Sequence, residues 1–263
     1  MTAPSVSPAR VTAGATPAGV EPGNETEVSR NIREMFGRIA PRYDLLNRLL
    51  SARIDQLWRR TLVRRVRPYL ERPESRVLDL CCGTGDLVIS LEAEKRKRCG
   101  LAATVVLGAD FCRPMLTEAA RKVRHKGHGN ELIEADALHV PLPGGTLDLI
   151  TVAWGFRNLA SYERGLREMH RLLAAGGCLA ILEFSQPTNR VWGPLFRFYF
   201  RHILPRIGNT LSGSGSAYSY LHNSVRRFLT PAELAVSAKE AGFQRVEAVS
   251  LTGGISVLHL CYK

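Results

Sequence analysis

No run of about 18 continuous apolar residues occurs in the 263-residue sequence, so no integral membrane span is expected. No C-x-x-C pair occurs among the six cysteines, Cys81, Cys82, Cys99, Cys112, Cys178 and Cys261. Without that spacing neither a structural zinc nor a dithiol redox couple is expected. Cys81 and Cys82 cannot easily bridge each other, because a disulfide needs Cα atoms facing across a gap rather than joined by one peptide. No leader-like apolar stretch stands ahead of them, and the expectation is reduced thiols in a cytosolic compartment. Acidic residues are also scarce: 24 Asp plus Glu against 36 Lys plus Arg leave a formal charge of +12. A basic surface suits nucleic acid, anionic lipid or an acidic partner equally well, so charge alone selects none of them.

What is present is enough for one α/β core, with 45% hydrophobic residues in a chain of single-domain length. Residues 1–26 read as a disordered tail, since up to Asn24 they are mostly Ala, Thr, Pro and Gly with a single Arg. A transit peptide is the rival reading, favoured by the shortage of acids and weakened by the lone Arg and the prolines. Residues 27–263 read as one domain, opening with a helical cap over 27–72. There Ile54, Leu57, Trp58, Leu62, Val66 and Leu70 fall at helical spacing, interleaved with Arg53, Arg59, Arg60, Arg64, Arg65 and Arg67. Such helices either cover a core with a solvated basic face or offer that face to anionic headgroups.

After Pro73 short β-rich runs alternate with helix-length polar segments: "RVLDLC", "TVVLGAD", "LIEAD", "DLITVAWG" and "CLAILEF". That alternation predicts a parallel sheet with helices on both faces, whose ligands sit beyond the carboxyl ends of the strands. The residues there are Asp79 to Asp86, Asp110, Asp136 with Ala137, and Gly155 to Asn158. Residues 186–228 break the rhythm with an amphipathic insertion, "RVWGPLFRFYFRHILPRIG" at its centre. Thr230, Pro231 and Glu233 then announce a helix start, and "FQRVEAVSLTGGISVLHLCYK" reads as an antiparallel hairpin turning at Gly253 and Gly254.

The stretch "VLDLCCGTGDL" places a glycine turn directly after a buried strand, with Asp86 placed to cap the next helix. A dinucleotide fingerprint would need G-x-G-x-x-G, but from Gly83 the third glycine position holds Val88. No G-K-[ST] follows, which excludes a nucleotide-triphosphate loop.

An acid in the strand, a Gly-Thr-Gly turn and a second acid ending the next strand resemble the S-adenosylmethionine site of class I methyltransferases. The resemblance implies a Rossmann-like α/β fold, a seven-stranded, mostly parallel sheet with one antiparallel strand near its edge. It also implies S-adenosylmethionine as cofactor, held by Asp79, Gly83, Thr84, Gly85, Asp110, Asp136 and Ala137. Asp110 would accept both ribose hydroxyls, and Asp136 and the Ala137 N–H would meet the adenine. Over the span from Phe36 to Tyr262, "RYDLLN", "GFRN", "HILPRIG", "YSYL" and "LREMHRLLAAGGCLAILEFSQP" resemble the bacterial menaquinone/ubiquinone C-methyltransferase family. The paired cysteines and Ala153, where relatives often carry a serine, depart from the family pattern.

This resemblance implies methyl transfer to a ring carbon of a prenylated hydroquinone, either a naphthoquinol or a benzoquinol. Arg157, Asn158 and Tyr43 are then the catalytic candidates. Arg157 would lower the pKa of a ring hydroxyl, Asn158 orient its oxygen, and Tyr43 hydrogen-bond or stack on the ring. The plainer alternative is that Arg157 and Asn158 tie down the loop after the fourth strand and Tyr43 packs the cap. A prenylated substrate implies peripheral attachment to the inner face of the cytoplasmic membrane, and the family makes a homodimer plausible. Nucleic acid is not an expected partner: no RNA-binding appendage and no Asn-Pro-Pro-Tyr clamp is present. A methyltransferase acting on RNA or another small molecule is the alternative function.

Overall fold

The computed structural model describes residues 25–51, 53–100, 106–126, 131–187, 193 and 216–263. The expected tail up to Asn24 and residues 188–215 of the expected insertion, Gly193 apart, lie outside the described residues. Helices α1 (Glu25–Ile39), α2 (Tyr43–Leu50), α3 (Ile54–Arg65) and α4 (Arg67–Leu70) form the expected cap. The sheet follows, from β1 (Val77–Leu80), α5 (Asp86–Cys99), β2 (Val106–Asp110), α6 (Arg113–His125) and β3 (Glu131–Glu134) to β4 (Leu147–Ala153), α7 (Tyr162–Leu172) and β5 (Leu173–Phe184). Helices α8 (Ser216–Arg227) and α9 (Pro231–Glu240) precede the hairpin of β6 (Arg245–Leu251) and β7 (Ser256–Tyr262).

The seven strands lie in the order β3-β2-β1-β4-β5-β7-β6. Strands β3, β2, β1, β4 and β5 are mutually parallel, and β7 runs antiparallel to both β5 and β6. The single reversed strand next to the edge is the one the sequence led us to expect. Chain order reverses between β1 and β4, which makes their carboxyl ends the topological switch point where ligands of open sheets bind.

Side chains alternate across the pleat and feed two cores. Leu78, Leu80, Ile150 and Val152 pack under α7 and α9 with Leu166, Met169 and Leu234. Val77, Leu149, Ala180 and Leu182 face the other way, against Trp58 and Leu62 of α3 and Leu87 and Leu91 of α5. The cap is therefore anchored to the sheet by the apolar side of its third helix. Helix α9 opens with the expected capping box: Glu233 N–H donates to the Thr230 hydroxyl, and the Glu233 carboxylate accepts from Thr230 N–H. Asp86 does not cap α5. Gly85, with φ of 80°, holds the N-cap position, and Asp86 is the first helical residue, engaged with Arg59 and Lys122 instead.

Candidate active site

Above the switch point lies a cleft with about 670 Å³ of empty space, part of it open to solvent. Of the residues singled out in the sequence, Tyr43, Gly83, Asp110, Asp136, Ala137 and Asn158 line it together. Asp79, Thr84, Gly85 and Arg157 do not line it; they stand behind its wall.

The floor is built by the first two strand ends. Asp110 is nearly buried, and its two carboxylate oxygens accept separately, Oδ2 from Gly83 N–H at 2.8 Å and Oδ1 from Cys112 N–H at 2.9 Å. Burial raises its pKa, and the backbone N–H groups of Cys112, Gly83 and Phe111 work against that rise. Each oxygen has a further lone pair for a ligand hydroxyl. Gly83 has φ of 54°, and a Cβ built there would meet nothing within 4 Å, so the bare backbone borders open cleft space. Asp136 lies two residues past β3, where its Oδ1 accepts from Leu138 N–H at 2.9 Å.

Behind this floor, Asp79 accepts from the Thr151 hydroxyl at 2.6 Å across the β1–β4 pair. Burial pushes its pKa up to about 7, against the lowering effect of that hydrogen bond. Thr84 is spoken for as well. Its hydroxyl donates to Asp44 of α2 at 2.6 Å, while Lys122 of α6 reaches Asp44 at 2.7 Å, Thr84 at 3.1 Å and also Asp86. The glycine turn is thus tied to the cap by a charged cluster rather than by the cap's apolar side alone.

The opposite wall comes from the end of β4. Trp154 adopts φ of 56° and Cys81 φ of 57°, two non-glycine residues in the left-handed region on the rim of one cleft. Such strain is retained where surrounding structure over-determines it, often at ligand sites. Cys81 packs so tightly on Gly155 that a Cβ there would come within 2.3 Å of Cys81 Cβ. Its thiol is pushed well above the usual range by burial and then by Asp110 and Asp79, so it is a filler rather than a nucleophile.

Arg157 and Asn158 sit in the 3-10 turn Phe156–Asn158. Arg157 points away from the cleft lining: Nη1 donates to Glu183 Oε1 at 2.8 Å and to the Trp154 carbonyl at 2.5 Å, and Nε reaches the Ser224 hydroxyl at 3.4 Å. Burial works against its charge, yet Glu183 holds the guanidinium pKa above its ordinary value. Asn158 faces the cleft, and its Oδ1 accepts from the Tyr220 hydroxyl at 2.9 Å. Tyr43, from the start of α2, has its hydroxyl pKa raised by burial, with Asn47 and Arg157 pulling it down.

A model of the ubiE/COQ5 methyltransferase family matches residues 24–263. The chain belongs to this family. A demethylmenaquinone methyltransferase of Thermus thermophilus is 46% identical over 226 residues, 86% of this chain and 98% of that one. One from Deinococcus radiodurans is 42% identical over 89% of this chain and 93% of its own. A ubiquinone/menaquinone biosynthesis C-methyltransferase UbiE of a Geobacter species is 38% identical, covering 89% and 97%. Among solved structures, the [4+2]-cyclase SpnF superposes with a TM-score of 0.62 at 16% identity over 89% of this chain and 96% of that one. A SAM-dependent methyltransferase of Thermotoga maritima described as a possible histamine N-methyltransferase gives 0.59 at 17% identity, covering 88% and 98%. At such identities these two show the fold alone, which is the Rossmann-like methyltransferase fold.

The cofactor of a ubiE/COQ5 methyltransferase is S-adenosylmethionine, and the residues present fit it. Asp110 offers two carboxylate oxygens with spare lone pairs, and the Gly83 backbone leaves open the space that a Cβ would fill. Sequence reasoning missed Glu183, Tyr220, Asp44, Lys122 and Trp154. One signal was available: Glu183 is an acid at the carboxyl end of β5, the one parallel-strand end beside the switch point left uninspected.

Proposed function

We propose that the protein transfers the methyl group of S-adenosylmethionine to a ring carbon of a prenylated hydroquinone, a demethylmenaquinol in the first place. One observation carries the reading: the Asp110 carboxylate, suited to ribose hydroxyls, and the polar groups of Tyr43 and Asn158 line a single cleft. The curated relatives at 46% and 42% identity, both named demethylmenaquinone methyltransferase, support the substrate class. A benzoquinol of ubiquinone synthesis is the second acceptor, supported by the UbiE relatives.

The bound cofactor supplies a sulfonium-activated methyl group. The ring carbon that accepts it is a weak nucleophile until a neighbouring ring hydroxyl loses its proton, and a free phenol has a pKa of about 10. Asn158 can donate amide hydrogens to that ring oxygen and favour its anion. Tyr43 keeps its own proton because burial raises its pKa, and can donate to the same ring or pack on it. Arg157 acts one layer back: paired with Glu183, it fixes the 3-10 turn that carries Asn158, and its charge bears on Tyr43. Water in the open part of the cleft takes the hydroxyl proton and the ring proton displaced by the new carbon–carbon bond. Asp136 and Ala137 meet the adenine, while Asp79, Thr84 and Gly85 hold the shape of the turn around the cofactor.

The prenyl tail places the substrate in a bilayer. No helix among the described residues is long and apolar enough to cross one. The outer face of α3 exposes Arg53, Arg60, Arg64 and Arg65 around Leu57, itself 56% exposed, a face suited to anionic lipid on the cytoplasmic leaflet.

The test is incubation with methyl-labelled cofactor and each demethylated quinol under reducing conditions, with mass spectrometry of the product. A ring-methylated naphthoquinol is the expected product. Absence of transfer to every quinol, with cofactor binding intact, overturns the reading.

A further inference from the structure

The proposed reaction leaves Tyr220 without a task. It stands 62 residues beyond Asn158, on α8, yet its hydroxyl lies 2.9 Å from Asn158 Oδ1. One turn further along the same helix, Ser224 accepts from Arg157 Nε at 3.4 Å. One face of α8 therefore grips both polar residues of the 3-10 turn. The two grips differ in kind, because only Asn158 lines the cleft.

A carboxamide has two unlike ends. Its oxygen would repel a ring oxyanion, whereas its N–H groups would stabilise one. Which end meets the substrate depends on what holds the other. The Tyr220 hydroxyl lies in the field of the Arg157 cation. That field favours turning the hydroxyl oxygen toward Arg157 and its proton away, onto Asn158 Oδ1. Glu183, on the far side of the pair, holds Arg157 in that position at 2.8 Å.

We propose that Tyr220 is a positioning residue which, by donating its hydroxyl proton to Asn158 Oδ1, presents the Asn158 Nδ2 hydrogens to the cleft as the donors for the quinol's ring oxygen. The inference rests on the quinol reading above and adds the residue that sets the polarity of its oxyanion contact. The titratable and charged groups around this contact are Arg157 in the same turn, Glu183 from β5, Tyr162 from α7 and Tyr43 from α2. Tyr43, Tyr162 and Tyr220 all have raised pKa values, so all three stay protonated through the neutral range.

The test compares wild type, Tyr220→Phe, Asn158→Ala and the double variant in turnover of a short-chain demethylmenaquinol across pH 6 to 10. Tyr220→Phe should lower kcat at neutral pH roughly tenfold to hundredfold, the scale of a lost hydrogen bond to a charged group. Its rising pH limb should move upward, so that activity recovers in alkali, with cofactor affinity by titration calorimetry unchanged. In the Asn158→Ala background Tyr220→Phe should cost little more, since both act on one contact. A loss equal at every pH, or one that adds fully to that of Asn158→Ala, overturns the proposal. Ionisation of bound 1-naphthol, read by absorbance with S-adenosylhomocysteine present, decides the point without turnover. It should occur at lower pH in wild type than in Tyr220→Phe, and equal values overturn the proposal. If wild type methylates no quinol, the function reading falls while this optical comparison still decides the role of Tyr220.

Discussion

Arg157 and Glu183 form a buried ion pair, Nη1 to Oε1 at 2.8 Å, with 6% and 1% of their side chains exposed. The cation that sequence reasoning aimed at the quinol is thus largely neutralised by a carboxylate from the next strand. Glu183 also accepts from the backbone N–H groups of Arg157 and Phe184, which knits the turn to the end of β5. Removing one partner of such a pair leaves an uncompensated charge in the interior. We expect Arg157→Ala to destabilise the fold by about 3–5 kcal/mol. Combined with Glu183→Gln it should recover most of that loss, because the stranded charge is gone. Denaturant unfolding of the three variants checks this, and equal stability of Arg157→Ala and wild type would sink it.

Asp79 makes stability depend on pH in an unusual sense. Its carboxyl is raised to about 7 from an ordinary 3.8, chiefly by burial. The folded state therefore holds a proton that the unfolded chain has released. Stability contributed at low pH is lost as pH climbs from about 4 through 7, which reverses the usual behaviour of a carboxylate. Asp79→Asn keeps an acceptor for the Thr151 hydroxyl and abolishes the titration. In the cofactor-free protein the variant should show a flatter stability profile over that window and gain on wild type at pH 8. Thermal melts at pH 5 and pH 8 give the comparison; parallel profiles for the two proteins would contradict it.

How far the sequence could be read follows from the range of each signal. The strand and helix alternation, the glycine turn, the capping box at Thr230 and the hairpin at Gly253 are local patterns, and each stands where its spacing placed it. The turn's details were not legible: Gly85 in the left-handed region takes the N-cap position, so Asp86 enters the helix and turns to Arg59 and Lys122. Pairings across the fold were not legible either. Glu183 meets Arg157 because β4 and β5 lie side by side with Ala153 opposite Leu182, and Tyr220 meets Asn158 because α8 crosses that turn. No periodicity encodes which side chain sits opposite. Thr84 shows the same limit, since its hydroxyl serves Asp44 of the cap at 2.6 Å.

Gly83→Ala separates folding from binding. At φ of 54° an added methyl group costs about 1 kcal/mol of backbone strain, and nothing within 4 Å obstructs it. The variant should therefore fold and melt within a few degrees of wild type. Its Cβ, however, would stand in the space the cofactor needs beside Asp110. Calorimetry with S-adenosylmethionine should show affinity reduced by at least about tenfold, while undiminished affinity would remove the turn from the cofactor site.

Lys122 latches the cap. It joins Asp44 of α2 to Thr84 and Asp86 of the turn, while Arg59 of α3 holds the other oxygen of Asp86 at 2.8 Å. Lys122 and Arg59 together hold the Asp86 carboxyl below its usual range despite burial. Lys122→Met should cost about 1–3 kcal/mol through the two stranded carboxylates. The cost should fall locally: faster amide exchange in Tyr43–Leu50 and faster cofactor release, with exchange in β1 and β4 unchanged. Uniformly faster exchange across the sheet would instead make Lys122 a global stabiliser.

Attachment to a bilayer, if α3 supplies it, must depend on charge more than on depth. Arg60 and Arg64 lie one helical turn apart, both exposed, with Leu57 a turn before Arg60. Each basic residue near an anionic surface contributes about 1 kcal/mol, and the attraction fades over a Debye length of about 10 Å at 0.1 M salt. One exposed leucine adds too little apolar area to hold the protein alone. Flotation with phosphatidylglycerol vesicles should therefore be strong at low salt and lost near 0.5 M. Arg60→Glu with Arg64→Glu should cut low-salt binding at least tenfold while sparing turnover of a short-chain quinol in detergent. Binding that survives both high salt and the double reversal would move the docking surface away from α3.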